Sequence, residues 1–271
     1  GLMLEAWWQP IFPWDAWTTW ALRAHVWVEL QQLVPFIDPE AWLADPDTAG
    51  YTIDAHAYPI TVSLLAAWPA LAFDDWCASA AKLPWLGCAA ALLMAFYGQA
   101  RHWGASPLLT LFFLWLLFSL PILGSHIALA GYADLWLATL IGLAFMAFQH
   151  WARDRDLRQG LLSLALVLLL PLIKQEGAVW AGLFIPALLA VLLPGRWWLL
   201  MIMLIGGLGL WLILATELPQ VLPLMHDFSL SYQGDWRPVW DHLFNRSSWH
   251  LFAYLLVLAL VVALVQDARG A

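Results

Sequence analysis

Charge is what this chain has least of. Asp, Glu, Lys and Arg together make up 11% of its residues, against 63% hydrophobic residues, and the mean hydropathy is +0.75. Those values lie outside the range of soluble domains and mark an integral membrane protein. Basic residues are the scarcer sign, 11 Lys and Arg against 19 Asp and Glu for a net charge of −8. That balance excludes nucleic acid as a partner, because binding it needs a basic footprint. Two cysteines, Cys77 and Cys88, are the whole thiol inventory. Their spacing permits a disulfide, but two buried free thiols are the expectation. The start, Gly1-Leu2-Met3-Leu4, lacks the basic stretch of a secretory signal. The chain has no Gly-rich phosphate loop, Cys/His metal cluster, Gly-x-Ser-x-Gly elbow or internal repeat.

What is abundant is tryptophan, 21 residues of it, a side chain that favours the membrane–water interface. Apolar runs suited to crossing a bilayer occupy 83–100, 107–123, 132–149, 160–173, 177–193, 197–215 and 249–265. The expected fold class is therefore all-α, a polytopic helical membrane protein of about seven transmembrane helices. A further apolar stretch, 58–73, carries Pro59 and Pro69 and reads as an interfacial or re-entrant helix. Charge sets the orientation. With seven crossings, Arg101, Arg153, Arg155, Arg158, Arg196 and Arg269 share one side, and every acid except Asp154, Asp156 and Asp267 falls on the other. The positive-inside rule then puts the short arginine loops in the cytoplasm. Two long loops, 1–82 and 216–248, lie outside and carry interfacial helices. The organisation divides into an outer first loop, 1–82, and a transmembrane helical domain, 83–271, that includes the outer loop 216–248.

Four constellations carry residues with chemistry. The first runs from Pro13 to Arg23. As a helix it places Trp17, Trp20, Ala21, Ala24 and Trp27 on one side, with Asp15, Thr19 and Arg23 stacked on another. Asp15 reads either as a helix N-cap or as a general base. Flanking Trp14 and Trp17 would strip water from its carboxylate and favour the second role. The second is Asp54-Ala55-His56-Ala57-Tyr58-Pro59. Here His56 is a candidate metal ligand or phosphate donor, and Tyr58 an interface residue. The third is Gly131-Tyr132-Ala133-Asp134-Leu135, with Asp134 at the outer end of a span. It suits the helix dipole, and is placed to orient a basic side chain or help hold a divalent cation.

The fourth is Lys174-Gln175-Glu176-Gly177. The run before it, 160–173, would reach only about 21 Å as a helix, short of a hydrocarbon core of about 30 Å. Lys174 and Glu176 are thus expected below the outer surface, where ionisable groups are expensive and mark functional cavities. The alternative is a salt bridge between them that plugs a tight turn. The loop 216–248 adds aromatics, carboxylates and Arg237, a composition suited to sugars and equally to a solvated cap.

Taken in order, Trp14-Asp15-Ala16-Trp17, His56-Ala57-Tyr58-Pro59, Gly131-Tyr132-Ala133-Asp134-Leu135 and Lys174-Gln175-Glu176-Gly177 resemble a known family. They are similar to bacterial membrane glycosyltransferases of the GT-C superfamily, family 39-like, the group of protein O-mannosyltransferases and aminoarabinose transferases. The resemblance covers about residues 7–260. It implies a transmembrane helix ahead of the outer loop, which the abrupt start at Gly1 leaves out. It implies Asp15 as the catalytic base, a sugar on a polyprenyl phosphate as donor, and a lipid, glycan or protein acceptor at the outer face. The location implied is the bacterial inner membrane with a periplasmic active site. His56-Ala57-Tyr58-Pro59 is more compact than the family pattern, and the chain ends sooner than larger members do. No cofactor is required by this reading. Members differ over a metal, so a divalent cation and its ligands stay open.

Chemically, a phosphate leaving group needs no general acid. One base, Asp15, and positive charge near the phosphate are enough. Lys174, with Arg23 or Arg237, is the expected phosphate site, and His56, Tyr58, Asp134 and Glu176 the expected substrate contacts. Inversion at the anomeric carbon follows. Two other readings stay open: a transporter or flippase using Lys174 and Glu176 as its intramembrane polar site, and a non-catalytic lipid-binding subunit.

Overall fold

Long apolar runs with few breakers become long helices, and proline decides where they start or break. The computed structural model describes residues 1–11, 13–45, 47, 50–73, 75–195, 197–215, 237–245, 249 and 252–270. It is mostly helical, 77%, with few strands. Residues 1–82 are built from short pieces. They are α1 (Leu2–Trp8), a π-helical turn (Ala16–Trp20), α2 (Ala21–Leu30), α3 (Pro39–Ala44), α4 (Thr61–Ala67), α5 (Ala70–Phe73) and α6 (Ala78–Ala81). A two-residue parallel pair joins β1 (Phe36–Ile37) to β2 (Tyr51–Thr52), with Phe36 opposite Tyr51. The stretch expected to be interfacial, 58–73, is broken at Trp68-Pro69 into α4 and α5.

The bundle follows as α7 (Leu83–His102), α8 (Pro107–Phe118), α9 (Pro121–Ala128), α10 (Asp134–Asp154), α11 (Leu157–Ile173), α12 (Glu176–Leu192) and α13 (Trp197–Ala215). Two further helices are Arg237–Trp240 and Phe252–Gly270. Proline sits in the first turn of α7, α8 and α9, where its missing N–H costs nothing. Ser106 caps α8 by accepting from the Leu109 amide, and Asp156 caps α11 by accepting from Arg158.

The structure departs from the expected single span at 107–123. Pro121 cannot donate to the helix and forces Leu120 into extended backbone, so α8 and α9 meet at a bend of 69°. Among the described residues, two helical stretches are long and apolar enough to cross a membrane, Ala78–His102 and Asp134–Asp154. The bent pair makes a third if taken as one span. α11 begins earlier than the apolar run suggests and has 17 residues, about 26 Å. It is longer than expected yet still short of a full hydrocarbon core of about 30 Å.

The core gathers where the segment 1–82 rests on the bundle. Trp20, Val62, Trp85, Leu135 and Leu170 are each at most 2% exposed, and Ala24, Ala130 and Ala133 are fully buried. Small side chains there let the helices of that segment approach the ends of α7 and α10 closely. The thiol expectation holds for one residue: Cys88 is buried against Thr139, whereas Cys77 is exposed, and both are free.

Side-chain contacts tie the helices together at two poles of the bundle. At one pole, Gln99 of α7 donates to Gln159 of α11, and Arg155 donates to the carbonyl of Val191 in α12. At the other, Trp85 of α7 donates to the Tyr132 carbonyl, and Lys174 reaches Asp134.

Candidate functional site

The Lys174 pole assembles residues from four separate stretches of sequence. Lys174 ends α11 in extended backbone, and α12 starts two residues later at Glu176. That abrupt turn depends on Gly177. A Cβ at this position would drive into the backbone carbonyl of Leu170. The turn directs the Lys174 ammonium between two carboxylates, 3.1 Å from Asp134 Oδ1 and 3.5 Å from Glu176 Oε1. Its side chain is 16% exposed, against 43% for Asp134 and 48% for Glu176. The lysine is therefore the covered member of the group, and the carboxylates face outward.

Tyr58 closes the other side. Its ring lies flat against Trp20, with centroids 5.3 Å apart, and its hydroxyl donates to Glu176 Oε1 at 3.4 Å. The Lys174 ammonium stands 6.0 Å from the centre of the Tyr58 ring. Gln175 ties the same loops together by donating to the Ala57 carbonyl at 3.1 Å. Burial works to lower the Lys174 pKa, but the charge and hydrogen bond of Asp134, with Glu176 behind it, outweigh that and raise it. Burial and then the charge of Glu176 raise Tyr58, so both groups stay protonated at neutral pH.

Asp15 belongs to this pole. Gly131 adopts φ +139°, open to glycine, and a Cβ there would come within 2.6 Å of the Ala16 Cβ. The Gly131 backbone thus rests directly on the π-helical turn that begins after Asp15. The Asp15 charge acts on both Tyr58 and Tyr132, raising each after burial has done so. The expected capping role is not what its side chain does. Asp15 has helical backbone and makes no cap hydrogen bond, leaving an exposed carboxylate uncommitted by hydrogen bonding among the described residues.

The π turn also changes which residues share a face. Its wider winding shifts the residues before it relative to α2, while Thr19 and Arg23 are buried along with Trp20, Ala24 and Trp27. Trp17, expected beside Trp20, is instead 48% exposed.

Arg23 is 1% exposed. Its guanidinium donates to the carbonyls of Tyr58, Ala55 and His56 at 2.8, 2.7 and 2.6 Å, and lies over the Phe36 ring. Burial pushes its pKa down to about 10, still charged at neutral pH. With these donors spent on backbone, Arg23 holds the loop that carries Tyr58, which corrects the expectation of a phosphate ligand. His56 turns to Asp38, with Nδ1 3.7 Å from Oδ2, ion-pair distance for a protonated imidazole. Arg237 opens the short helix Arg237–Trp240, which packs on the turn Asp241–Asn245. Most of the loop 216–248, with Glu217, His226, Asp227, Tyr232, Asp235, Trp236 and Arg246, lies outside the described residues, as does Arg196.

Of the expected site residues, Tyr58, Asp134, Lys174 and Glu176 are brought together, and the charge of Asp15 acts on Tyr58. Tyr132, Trp20 and Gln175 are additional members. Tyr132 stood inside a quoted motif, two residues before Asp134. Its contact with His126, ring centroids 5.4 Å apart, had no signal in sequence spacing. Three carboxylates and one ammonium leave the group net negative. The carboxylates are not among the described groups close enough to cage an ion. A separate apolar cleft of about 510 Å3 lies between α2 and α4, lined by Trp27, Leu64, Leu65 and Trp68 among others. No protein family, no curated protein and no solved structure matches this chain.

Proposed function

We propose that this chain is a GT-C-type glycosyltransferase of about seven membrane crossings, with its active site at the Lys174 pole, on the outer face. It moves a sugar from a polyprenyl phosphate to an acceptor hydroxyl or amine. The observation that carries the reading is the position of Asp15. An exposed carboxylate free of capping duty acts by its charge on Tyr58, whose hydroxyl bonds Glu176 in the group of Lys174, Asp134 and Glu176. Nothing in a merely structural ion pair requires a third carboxylate left uncommitted beside it.

In the reaction, the acceptor heteroatom attacks the anomeric carbon while Asp15 takes its proton. The bond from that carbon to the phosphate oxygen breaks, and the polyprenyl phosphate leaves with the electron pair. Configuration inverts. Lys174 meets the phosphate, and Tyr58 keeps its hydroxyl proton to donate to substrate oxygen. Asp134 and Glu176 already balance Lys174, so a divalent cation, were one to bind with the donor, would be held by one of these carboxylates and would supply further positive charge to the phosphate. The cleft between α2 and α4 is apolar enough to take part of an isoprenoid chain.

One observation favours a second reading, a lipid transporter. The 69° break between α8 and α9 is the kind of discontinuity that transporters place at their binding sites. The purified chain in lipid nanodiscs, supplied with polyprenyl-phosphate sugars and an acceptor mixture, separates the two. Glycosylated product with release of polyprenyl phosphate supports transfer. Movement of labelled lipid across vesicles without product supports transport.

A further inference from the structure

A second constellation stands at the opposite pole, where α7 and α10 end side by side. His102, His150 and Asp154 each offer a ligand-type atom there, all within 4.8 Å of one another. His150 is 1% exposed, and its Nε2 lies 3.3 Å from the carbonyl oxygen of Gln99. An imidazole that donates from Nε2 keeps the lone pair on Nδ1. A backbone carbonyl on the far nitrogen is also the support that orients metal-ligating histidines. The His102 and His150 rings meet edge to face at 65°, with centroids 4.6 Å apart.

The backbone adds to the case. His102 is the last residue of α7 and Asp154 the last of α10, so the free carbonyls and negative dipole ends of two helices converge on the same spot. One charge opposes a cation. Arg153 lies 3.5 Å from Asp154 through Nε and spreads over the Trp103 ring.

We propose that His102, His150 and Asp154 bind one divalent transition-metal ion, zinc fitting best, which pins the ends of α7 and α10 together. Two imidazoles and a carboxylate with a water make an ordinary four-coordinate zinc shell. Its ligand atoms would stand about 3.3 Å apart, given metal–ligand bonds of about 2.0–2.1 Å. The two outer ligands have room to close that gap, since Asp154 is 52% exposed and His102 is exposed. Arg153 is the competitor that occupies the Asp154 carboxylate when metal is absent.

The test uses the full chain in detergent micelles, stripped with EDTA and titrated with Zn2+ by calorimetry and with Co2+ by visible absorption. One ion per chain is expected, with His102→Asn and Asp154→Asn each weakening affinity by about tenfold or more. Arg153→Gln tightens it several-fold, and His25→Asn changes nothing. Both ligand substitutions are at exposed positions, so the stripped variants keep the parent's melting temperature. Should one fail to fold, the other carries the test, together with the Co2+ spectrum. Absent binding, or affinity unchanged in both ligand variants, overturns the proposal.

Discussion

Lys174 shows how one side chain can organise a pole of the molecule. Its ammonium is covered while its two carboxylate partners are not, so removing it strands Asp134 and Glu176 beside each other. Lys174→Met is expected to lower stability by about 1–2 kcal/mol, the cost of uncompensated, partly solvated charge, measured by denaturant unfolding in micelles. The pH dependence has a definite sign. The folded-state pKa stands above the ordinary lysine value of 10.5. The stabilisation from this group is therefore fully present below that value and is lost as pH rises through the folded-state pKa. Unfolding midpoints should show no loss from it between pH 7 and 9, then an alkaline decline that is smaller in Lys174→Met. Arg23 has a different duty. Arg23→Met removes the donors of three carbonyls and is expected to cost about 3 kcal/mol, with Arg23→Lys recovering part of it in the same measurement.

Short elements rather than long ones place the chemistry. The π-helical turn follows the exposed Asp15 and leads into α2, which carries the buried Arg23, and Gly131 packs on the turn at Ala16. Gly131→Ala asks for a left-handed-side φ that alanine resists and pushes a methyl into Ala16. The expected loss is about 1–3 kcal/mol in thermal or denaturant unfolding. The helical character of the chain was legible in the residues, as was the candidacy of Tyr58, Asp134, Lys174 and Glu176, which the structure groups, because hydrophobic runs and rare charges are strong signals. The burial of Arg23 was not. Arg23 reads as one polar stripe with Asp15 and Thr19, yet on α2 it lies beside Ala24 and Trp27, and the loop 55–58, whose carbonyls it holds, covers it. The break at Pro121 was visible as a proline yet was outweighed by the unbroken apolar run on either side. The exposure of Cys77 depends on how α6 packs, which no local pattern reports.

At the scale of the whole molecule, the chain is a helical body with chemistry-bearing residues at both poles and apolar surface between them. Long exposed apolar faces on α8, α11 and the helix Phe252–Gly270 are what a lipid environment would cover. The positive-inside argument predicts the side of each pole. With both native cysteines replaced by serine, Asp47→Cys should react with an impermeant maleimide on intact cells, and Arg158→Cys only after lysis. The reverse labelling would invert the orientation and remove the outer-face site. The central claim is that Asp15 takes the acceptor's proton. Its most direct test is the rate of polyprenyl phosphate release by Asp15→Asn in nanodiscs, alongside donor-lipid binding. The account predicts a loss of about 10²–10⁴-fold in rate with binding retained. An unchanged rate in Asp15→Asn would contradict it.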